Sequence, residues 1–439
     1  MSIIKSEVVK LLERLRIPTC LSFVSGHATD TDISRLANTF KVQAELALKE
    51  LQTLIRNATD NELDDEERIQ IIVTCATFIG EELWTNSDLN KNAIATIDLL
   101  TTLQPRRFPT VTQMIQVFSS EILEKYVKPV FLKHTPVNVE KKNGKLKKQP
   151  IDFDIGNESW RGEIAQGSNI LQWCILHLKN TEIENIIGLI VPPTLSLIDD
   201  YNVNFKTRGV SILDHLLKEL TPDIIQRTGL GEVFHEALSR CLTYQNEESH
   251  VPLLRQSFSA IISLVSLTEK PNSEPRFIKY EQILSNNVVR GFIFSGDKIV
   301  IRIVLLEQIP KLSQELEIVM VKYLGELMQI ICDSLQVTFE FTNKEQIIDL
   351  HYAAAKGLEK IISTCWPRIP RYKGRILTSV ASSWYQVMRV EANNDVLKKS
   401  LYNVCQLLKL ACAQNNVNIK KDIQALLELD SEMFEPLLN

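Results

Sequence analysis

The stretch DISRLANTFKVQAELALKELQTLIR, Asp32 to Arg56, decides the fold class. Ile33, Leu36, Ala37, Phe40, Ala44, Ala47, Leu48, Leu51 and Leu54 recur mostly at three- and four-residue steps. That spacing places them on one face of an α-helix, whose turn takes about 3.6 residues. Thr31 and Asp32 stand where an N-cap would satisfy the first free amides. The spacing predicts one long amphipathic helix.

The same period returns outward from there: Ile69 to Leu83, Leu89 to Leu103, Val111 to Leu132, Ile170 to Leu178, Ile183 to Leu197, Val203 to Leu220, Ile224 to Leu242 and Leu253 to Leu267. It continues through Ile299 to Ile309, Leu316 to Val337, Ile347 to Ile362, Ile376 to Val390 and Val396 to Cys412. Such helices pair up roughly every 40 residues, the unit size of HEAT-like arrays. One hairpin cannot bury both its apolar stripes, whereas hairpins stacked side by side share a continuous core. The expected fold is all-α, an α-solenoid of degenerate HEAT-like hairpins. No motif is copied from repeat to repeat, so a helical bundle of two domains stays open.

Composition agrees. Only 15 glycines and 16 prolines occur in 439 residues, too few for the turns and phosphate loops of a β-rich or doubly wound protein. A net charge of -5 gives no overall field for a polyanion, so direct nucleic-acid binding is not expected. Eight scattered cysteines, without a CxxC pair or a histidine at metal spacing, read as buried free thiols of a reducing compartment. Glu7 and Glu13 interrupt what would be the apolar part of a signal peptide. No run approaches the roughly 20 apolar residues of a membrane span, and Pro192 and Pro193 break the most apolar stretch, Ile186 to Ile198. Cytoplasm and nucleus are the expected locations, and the Asn57 and Asn157 sequons are chance matches.

One segment lacks a helical stripe: HTPVNVEKKNGKLKKQPIDFDIGNES, His134 to Ser159. It reads as a linker or long loop between a helical region at 1–133 and a larger helical array at 160–439. Its Lys141, Lys142, Lys145, Lys147 and Lys148 suit a solvated loop, with a nuclear-import or nucleic-acid patch as the alternative.

Two spaced sets stand out. Pro192, Asp200, Lys206, Gly209 and Leu213 have the order of a HEAT hairpin. The proline stops one helix, Asp200 or Asn202 caps the next, and Lys206 meets an acidic group at the turn. Gly209 allows two helix axes to approach closely, with Phe205 and Leu213 at the apolar positions. The alternative for Asp199, Asp200 or Arg208 is direct contact with a partner.

The second set is Cys365-Trp-Pro-Arg-Ile-Pro-Arg-Tyr-Lys-Gly-Arg-Ile-Leu377. Pro367 and Pro370 stiffen the turn. Arg368, Arg371, Lys373 and Arg375 gather positive charge beside Trp366 and Tyr372. One reading is an inter-repeat corner with Trp366 packed inward and its bases solvated. The other is a docking surface whose guanidinium groups form forked bonds with carboxylates of an acidic segment.

PPTLSLIDDYNVNFKTRGVSILDHLL (Pro192 to Leu217) and CWPRIPRYKGRIL (Cys365 to Leu377) together resemble the Tel-two-interacting-protein-two family. The likeness covers roughly the C-terminal 250 residues in order and spacing, and the first 160 or so are placed by position only. Trp-Pro-Arg-Ile-Pro followed by Tyr-Lys-Gly-Arg is not a general helical-repeat feature. Where the family pattern has Asp-Tyr-Asp-Pro, this chain reads Asp200-Tyr-Asn-Val-Asn, which leaves the turn geometry open.

The resemblance implies a non-catalytic adaptor of the Triple-T complex with Tel-two and Tti-one as its partners. It also implies work with the ninety-kilodalton heat-shock chaperone to stabilise phosphatidylinositol-kinase-related kinases of the TOR and ATM/ATR class. Links to telomere maintenance, the DNA-damage response, TOR signalling and a fungal chromatin-associated assembly come with the family. The basic turn suggests that the C-terminal half stiffens a larger solenoid partner, so reversing Arg368, Lys373 and Arg375 to Glu should weaken pull-down.

Enzyme signatures are not found: no Gly-x-x-x-x-Gly-Lys-Ser/Thr loop, no His-Glu-x-x-His pair and no Gly-x-Ser-x-Gly elbow. Gly229-Leu-Gly231 lacks a third glycine and reads as a turn, and Ser239 stands where a zincin after His235-Glu236 needs its second histidine. No cofactor or metal is expected. An importin-like adaptor and a metal-dependent or nucleotide hydrolase are the rival readings.

Overall fold

The computed structural model describes residues 3–22, 31–59, 62–134, 159–338, 344–389 and 394–438. Every regular element among these residues is helical, and the fold is all-α. The helices form two compact units, Met1–Ile224 and Ile225–Asn439.

In the first unit the deciding stretch is one helix, Thr31–Asn57. It buries Ala37, Phe40, Ala44, Ala47, Leu48, Leu51 and Ile55. Full burial of a large apolar side chain contributes about 1.5–3 kcal/mol. Its main neighbour is Ser87–Leu103, which buries Leu89, Ala93, Ile97 and Leu100. Gln52 ties the pair across the interface, donating to the Asn92 carbonyl at 3.0 Å and the Thr96 hydroxyl at 3.2 Å. Further on, Val111–Ile122 runs through a π-helical turn, Leu123–Val127, into Lys128–His134. Ser159–Leu176, Asn180–Asp199 and Val203–Glu219 complete the helical hairpins of this unit.

The second unit shows hairpin stacking most clearly. Ile299–Leu316 packs against Lys344–Cys365, which packs against Asp395–Gln414, forming one layer. Leu324–Leu335 and Lys373–Arg389 form the other and pack on each other. Each hairpin covers the apolar stripe of its neighbour, as a HEAT-like stack requires.

Several sequence expectations change. The division at 134–159 is not where the compact units part. Residues 135–158 lie outside the described set, and helix Ser159–Leu176 packs on Asp65–Ala76 within the first unit. The helix expected over Ile69 to Leu83 ends at Ala76, because side chains hold the following residues in a loop. The Ile224 to Leu242 run divides into Pro222–Thr228 and Leu230–Cys241 at Gly229, whose φ of 69° is left-handed. Pro192 and Pro193 do not end their helix, which continues to Asp199. Helix Glu274–Gln282, its π-helical continuation Ile283–Val289, and the last two helices, Lys420–Leu429 and Ser431–Leu438, fall outside the helical stretches expected from the sequence. Of the cysteines, Cys20 is exposed, and the other seven are buried free thiols.

Two helices, Asn180–Asp199 and Glu248–Thr268 (its first turn 3-10), are long and apolar enough in composition to cross a membrane. Both bury residues against other helices: Ile190, Thr194, Leu197 and Ile198 in one, Leu253, Phe258, Ile261 and Leu264 in the other.

Candidate partner-binding site

The hairpin Asn180–Asp199 and Val203–Glu219 is built from the first spaced set. Proline inside a helix costs about 3 kcal/mol through its missing N–H and its ring. Pro192 is exposed, while burial of Ile190, Val191, Pro193, Thr194, Leu197 and Ile198 holds the helix together. Asp200 accepts the Asn202 N–H at 2.7 Å. Asn202 caps the second helix by accepting from the Asn204 N–H at 2.9 Å. The Lys206 ammonium, buried, donates to the Ile198 carbonyl at 2.7 Å and so closes the end of the first helix.

Leu213 is fully buried. Gly209 sits where a Cβ would stand 2.8 Å from the Ile198 main-chain nitrogen and 2.9 Å from Leu197 Cβ. Only glycine permits this approach, since backbone cannot step aside.

Arg208 turns inward. Its guanidinium donates to Glu82 Oε1 at 2.6 Å and to Ser168 Oγ at 2.5 Å. The other Glu82 oxygen accepts from Asn169 Nδ2 at 2.8 Å. Only 16% of the Arg208 side chain and 11% of the Glu82 side chain remain exposed.

This pair sits against the loop after helix Asp65–Ala76. There the Trp84 indole N–H donates to the Thr77 carbonyl at 3.0 Å and the Thr85 hydroxyl to the Phe78 carbonyl at 2.6 Å. The Asn90 side chain accepts from the Gly80 N–H and donates to its carbonyl, each at 3.0 Å. A Cβ on Gly80 would lie 2.2 Å from Glu82 Oε2 and 2.6 Å from Asn169 Nδ2. Buried main-chain groups need such partners. Arg208 and Lys206 are thus engaged within the unit, while Asp199 is exposed.

The second set, in the other unit, behaves differently. Ile369 is fully buried and fixes a short 3-10 turn, Ile369–Tyr372, that leads into helix Lys373–Arg389. Around this anchor Trp366, Pro367, Arg368 and Arg371 are exposed, the indole at 41%. Trp366 thus does not pack inward. Neither the Arg368 nor the Arg371 guanidinium has a partner among the described residues.

Lys373 and Arg375 are committed internally. Lys373 pairs with Asp422, and Arg375 donates to Asp333 at 2.9 Å. Reversing them would disturb these contacts as well as any outer surface. Tyr372 is half-buried, and its hydroxyl faces Gly325.

Two further cations reach the same corner from later in the chain. Asn415 donates to the Trp366 carbonyl at 3.2 Å, and the Asp422 pair joins helix Lys420–Leu429 to Lys373. Lys420 and Lys421, the first residues of that helix, are exposed, and their side chains have no partner among the described residues. Sequence reasoning missed them. They lie some 50 residues from the turn, on a helix with no fully buried residue. The corner thus presents one indole and four cationic side chains without internal partners.

Other titratable groups are structural. His351 is buried, with Nε2 at 3.1 Å from the Val337 carbonyl and Nδ1 at 2.8 Å from Ser383 Oγ. A carbonyl only accepts, so Nε2 carries the proton and Nδ1 accepts from the hydroxyl. Burial lowers its pKa to about 4, with the bond to Val337 opposing. Burial raises the Cys75, Cys174 and Cys405 thiols to about 12, which keeps them protonated. No group of three or more His, Cys, Asp or Glu among the described residues is arranged to hold a metal ion. A cleft of about 620 Å³ in the first unit is lined largely by apolar side chains, including Leu12, Leu15, Val73, Val130 and Ile170.

The family model described as "Tti2 family" matches residues 71–342, more than half of the chain. That span includes the Glu82–Arg208 pair and the 180–219 hairpin and ends before the Trp366 turn. Among curated proteins, the chain is similar to TELO2-interacting protein 2 of Rattus norvegicus, 21% identical over 221 residues. TELO2-interacting protein 2 of Mus musculus matches at the same identity and length. In both cases the match covers 49% of this chain and 41% of the relative, so it spans about two fifths of the relatives' length. Among solved structures it is similar to a chain in the complex in which Kap95p binding switches RanGDP, at 11% identity and TM-score 0.47. That match covers 93% of this chain and 58% of the other. Kap121p bound to Pho4p follows, at 13% identity and TM-score 0.43, covering 96% and 47%.

Proposed function

The chain belongs to the Tti2 family, and from that premise we propose that it is a non-catalytic scaffold subunit of the Triple-T complex, holding the Tel-two and Tti-one subunits. The observation that carries this reading is the family match over residues 71–342, joined to relatives named for interacting with TELO2. The architecture supports it physically. Stacked hairpins spend their apolar stripes on each other and leave outer faces for other proteins.

With its partners and the ninety-kilodalton heat-shock chaperone, the assembly stabilises newly made phosphatidylinositol-kinase-related kinases of the TOR and ATM/ATR class. Through those clients it serves TOR signalling, the DNA-damage response and telomere maintenance, in cytoplasm and nucleus. Client contact can run through the other subunits.

The test is affinity purification of the tagged full chain from its own cells, followed by mass spectrometry, with client kinase levels measured after depletion. The Tel-two and Tti-one subunits should co-purify in near-equal amounts, and TOR-class kinases should decline without a fall in their messenger RNA. A chain that recovers neither subunit would remove the assignment to the complex. Kinase levels that hold steady would remove the stabilising role.

A further inference from the structure

We propose that the corner formed by Trp366, Arg368, Arg371, Lys420 and Lys421 is a docking site for an acidic segment of a partner protein. This deepens the scaffold reading by assigning one of its contacts a place and a chemistry, and it rests on that reading only for the partner's role. Lys373 and Arg375 meet Asp422 and Asp333, whereas Arg368 and Arg371 on the same turn, and Lys420 and Lys421 on the helix that Asp422 ties to it, have no acidic partner among the described residues. The result is a local cationic cluster on a chain whose net charge is -5, and its complement is an acidic segment.

Rigidity is the second observation. Ile369 is fully buried, Pro367 and Pro370 restrict the backbone, and Asn415 holds the Trp366 carbonyl. A partner therefore meets side chains on a fixed backbone and loses less conformational entropy in binding them. An exposed tryptophan flanked by arginines supplies the usual interface anchors: an apolar plate beside planar forks that match carboxylates.

Backbone polarity is the third. Helices Lys373–Arg389 and Lys420–Leu429 both begin here, and the first has no acidic residue in its first turn. Helix N-termini add positive potential. Asp422 offsets part of it in the second helix and is itself neutralised by Lys373.

A nucleic-acid strand is the other polyanion that could be drawn to cations. Four positive charges on an acidic chain, beside one exposed aromatic and with no extended basic stripe at this corner among the described residues, fit a short acidic segment better than a phosphate backbone. Forked guanidinium–carboxylate geometry is local and needs no long track.

The experiment uses the full chain and a labelled synthetic peptide alternating Asp and Glu around a central Leu, with fluorescence anisotropy as the readout. An oligothymidylate of equal charge is the competitor. The peptide should bind, more weakly as salt rises, and outcompete the oligonucleotide. R368E/R371E and, separately, K420E/K421E should each weaken binding roughly tenfold or more, about 1.4 kcal/mol, with helical circular dichroism unchanged. Trp366→Ala should also weaken it, without altering the salt dependence.

No peptide binding by the wild-type chain, unchanged binding by both reversed variants, or preference for the oligonucleotide would each overturn the proposal. Co-purification separates it from the scaffold reading. If the complex assembles as well on R368E/R371E/K420E/K421E as on wild type, the corner is not its contact and the scaffold reading stands. If wild type assembles with neither subunit, the scaffold reading fails whatever the peptide does.

Discussion

Two corners of this molecule use the same kinds of residue in opposite ways. At the 199–209 turn of the first unit, Arg208 and Lys206 point inward. Arg208 meets Glu82 and Ser168, and Lys206 meets the Ile198 carbonyl. At the 366–375 turn of the second unit, Arg368 and Arg371 point outward beside an exposed Trp366, and among the described residues only Lys373 and Arg375 of its cations are paired. A cation beside a helix turn thus has no fixed meaning. What decides its use is whether a later or earlier segment brings a carboxylate or carbonyl to it. The inward corner should therefore govern stability, and the outward corner recognition.

Arg208→Ala should have the largest effect. It leaves Glu82 buried without its guanidinium, a loss of about 3–5 kcal/mol for a broken buried pair. Urea denaturation of the full chain should show the transition assigned to the first unit moving to much lower denaturant. A shift worth under about 1 kcal/mol would mean that water or another group already serves Glu82, and the inward corner would lose its distinction.

Acid tests the interior behind the outward corner. Helix Lys373–Arg389 begins at that corner, and its Ser383 is bonded to His351. The folded pKa of His351, about 4, lies below the 6.5 of an unfolded histidine. Its contribution is therefore complete above pH 6.5 and is lost as pH falls toward 4, by up to about 3 kcal/mol. Stability of the second unit, followed by circular dichroism across that window, should fall in wild type. His351→Gln should flatten this part of the profile. Parallel wild-type and variant curves would show that other groups control the acid response.

Gly209→Ala comes next. Its new methyl would press on main-chain atoms of the facing helix, and overpacking of this kind costs about 1–3 kcal/mol. A melting temperature equal to wild type would show that the 180–219 hairpin can open without loss.

The smallest effect belongs to the outward corner. R368E/R371E should change unfolding free energy by no more than about 0.5 kcal/mol, since neither side chain holds anything inside. A larger loss of stability would make the outward corner structural and erase the contrast between the two turns.

Much of the fold was legible because amphipathic periodicity is local. Thr31–Asn57, Ser87–Leu103, Lys344–Cys365 and Asp395–Gln414 each carry their stripe in their own residues. The misreadings came where distant groups overrode that local pattern. Residues 77–83 look like a helical continuation, yet Asn90, Asn169, Trp84 and Thr85 hold them in a loop. Pro192 looks like a helix end, yet burial on both sides of it carries the helix to Asp199. Three of the five side chains at the candidate corner could be read, since Trp366, Arg368 and Arg371 share one short motif. Lys420 and Lys421 could not, because only the Asp422 and Asn415 contacts bring them there.

By itself, then, the sequence determined that the chain is helical and that the helices pair, because the 3.6-residue period and the scarcity of glycine act through neighbours along the chain. Tertiary structure alone decided which cations are spent inside and which face solvent. Ion pairs form between side chains tens of residues apart, and no local pattern records who meets whom.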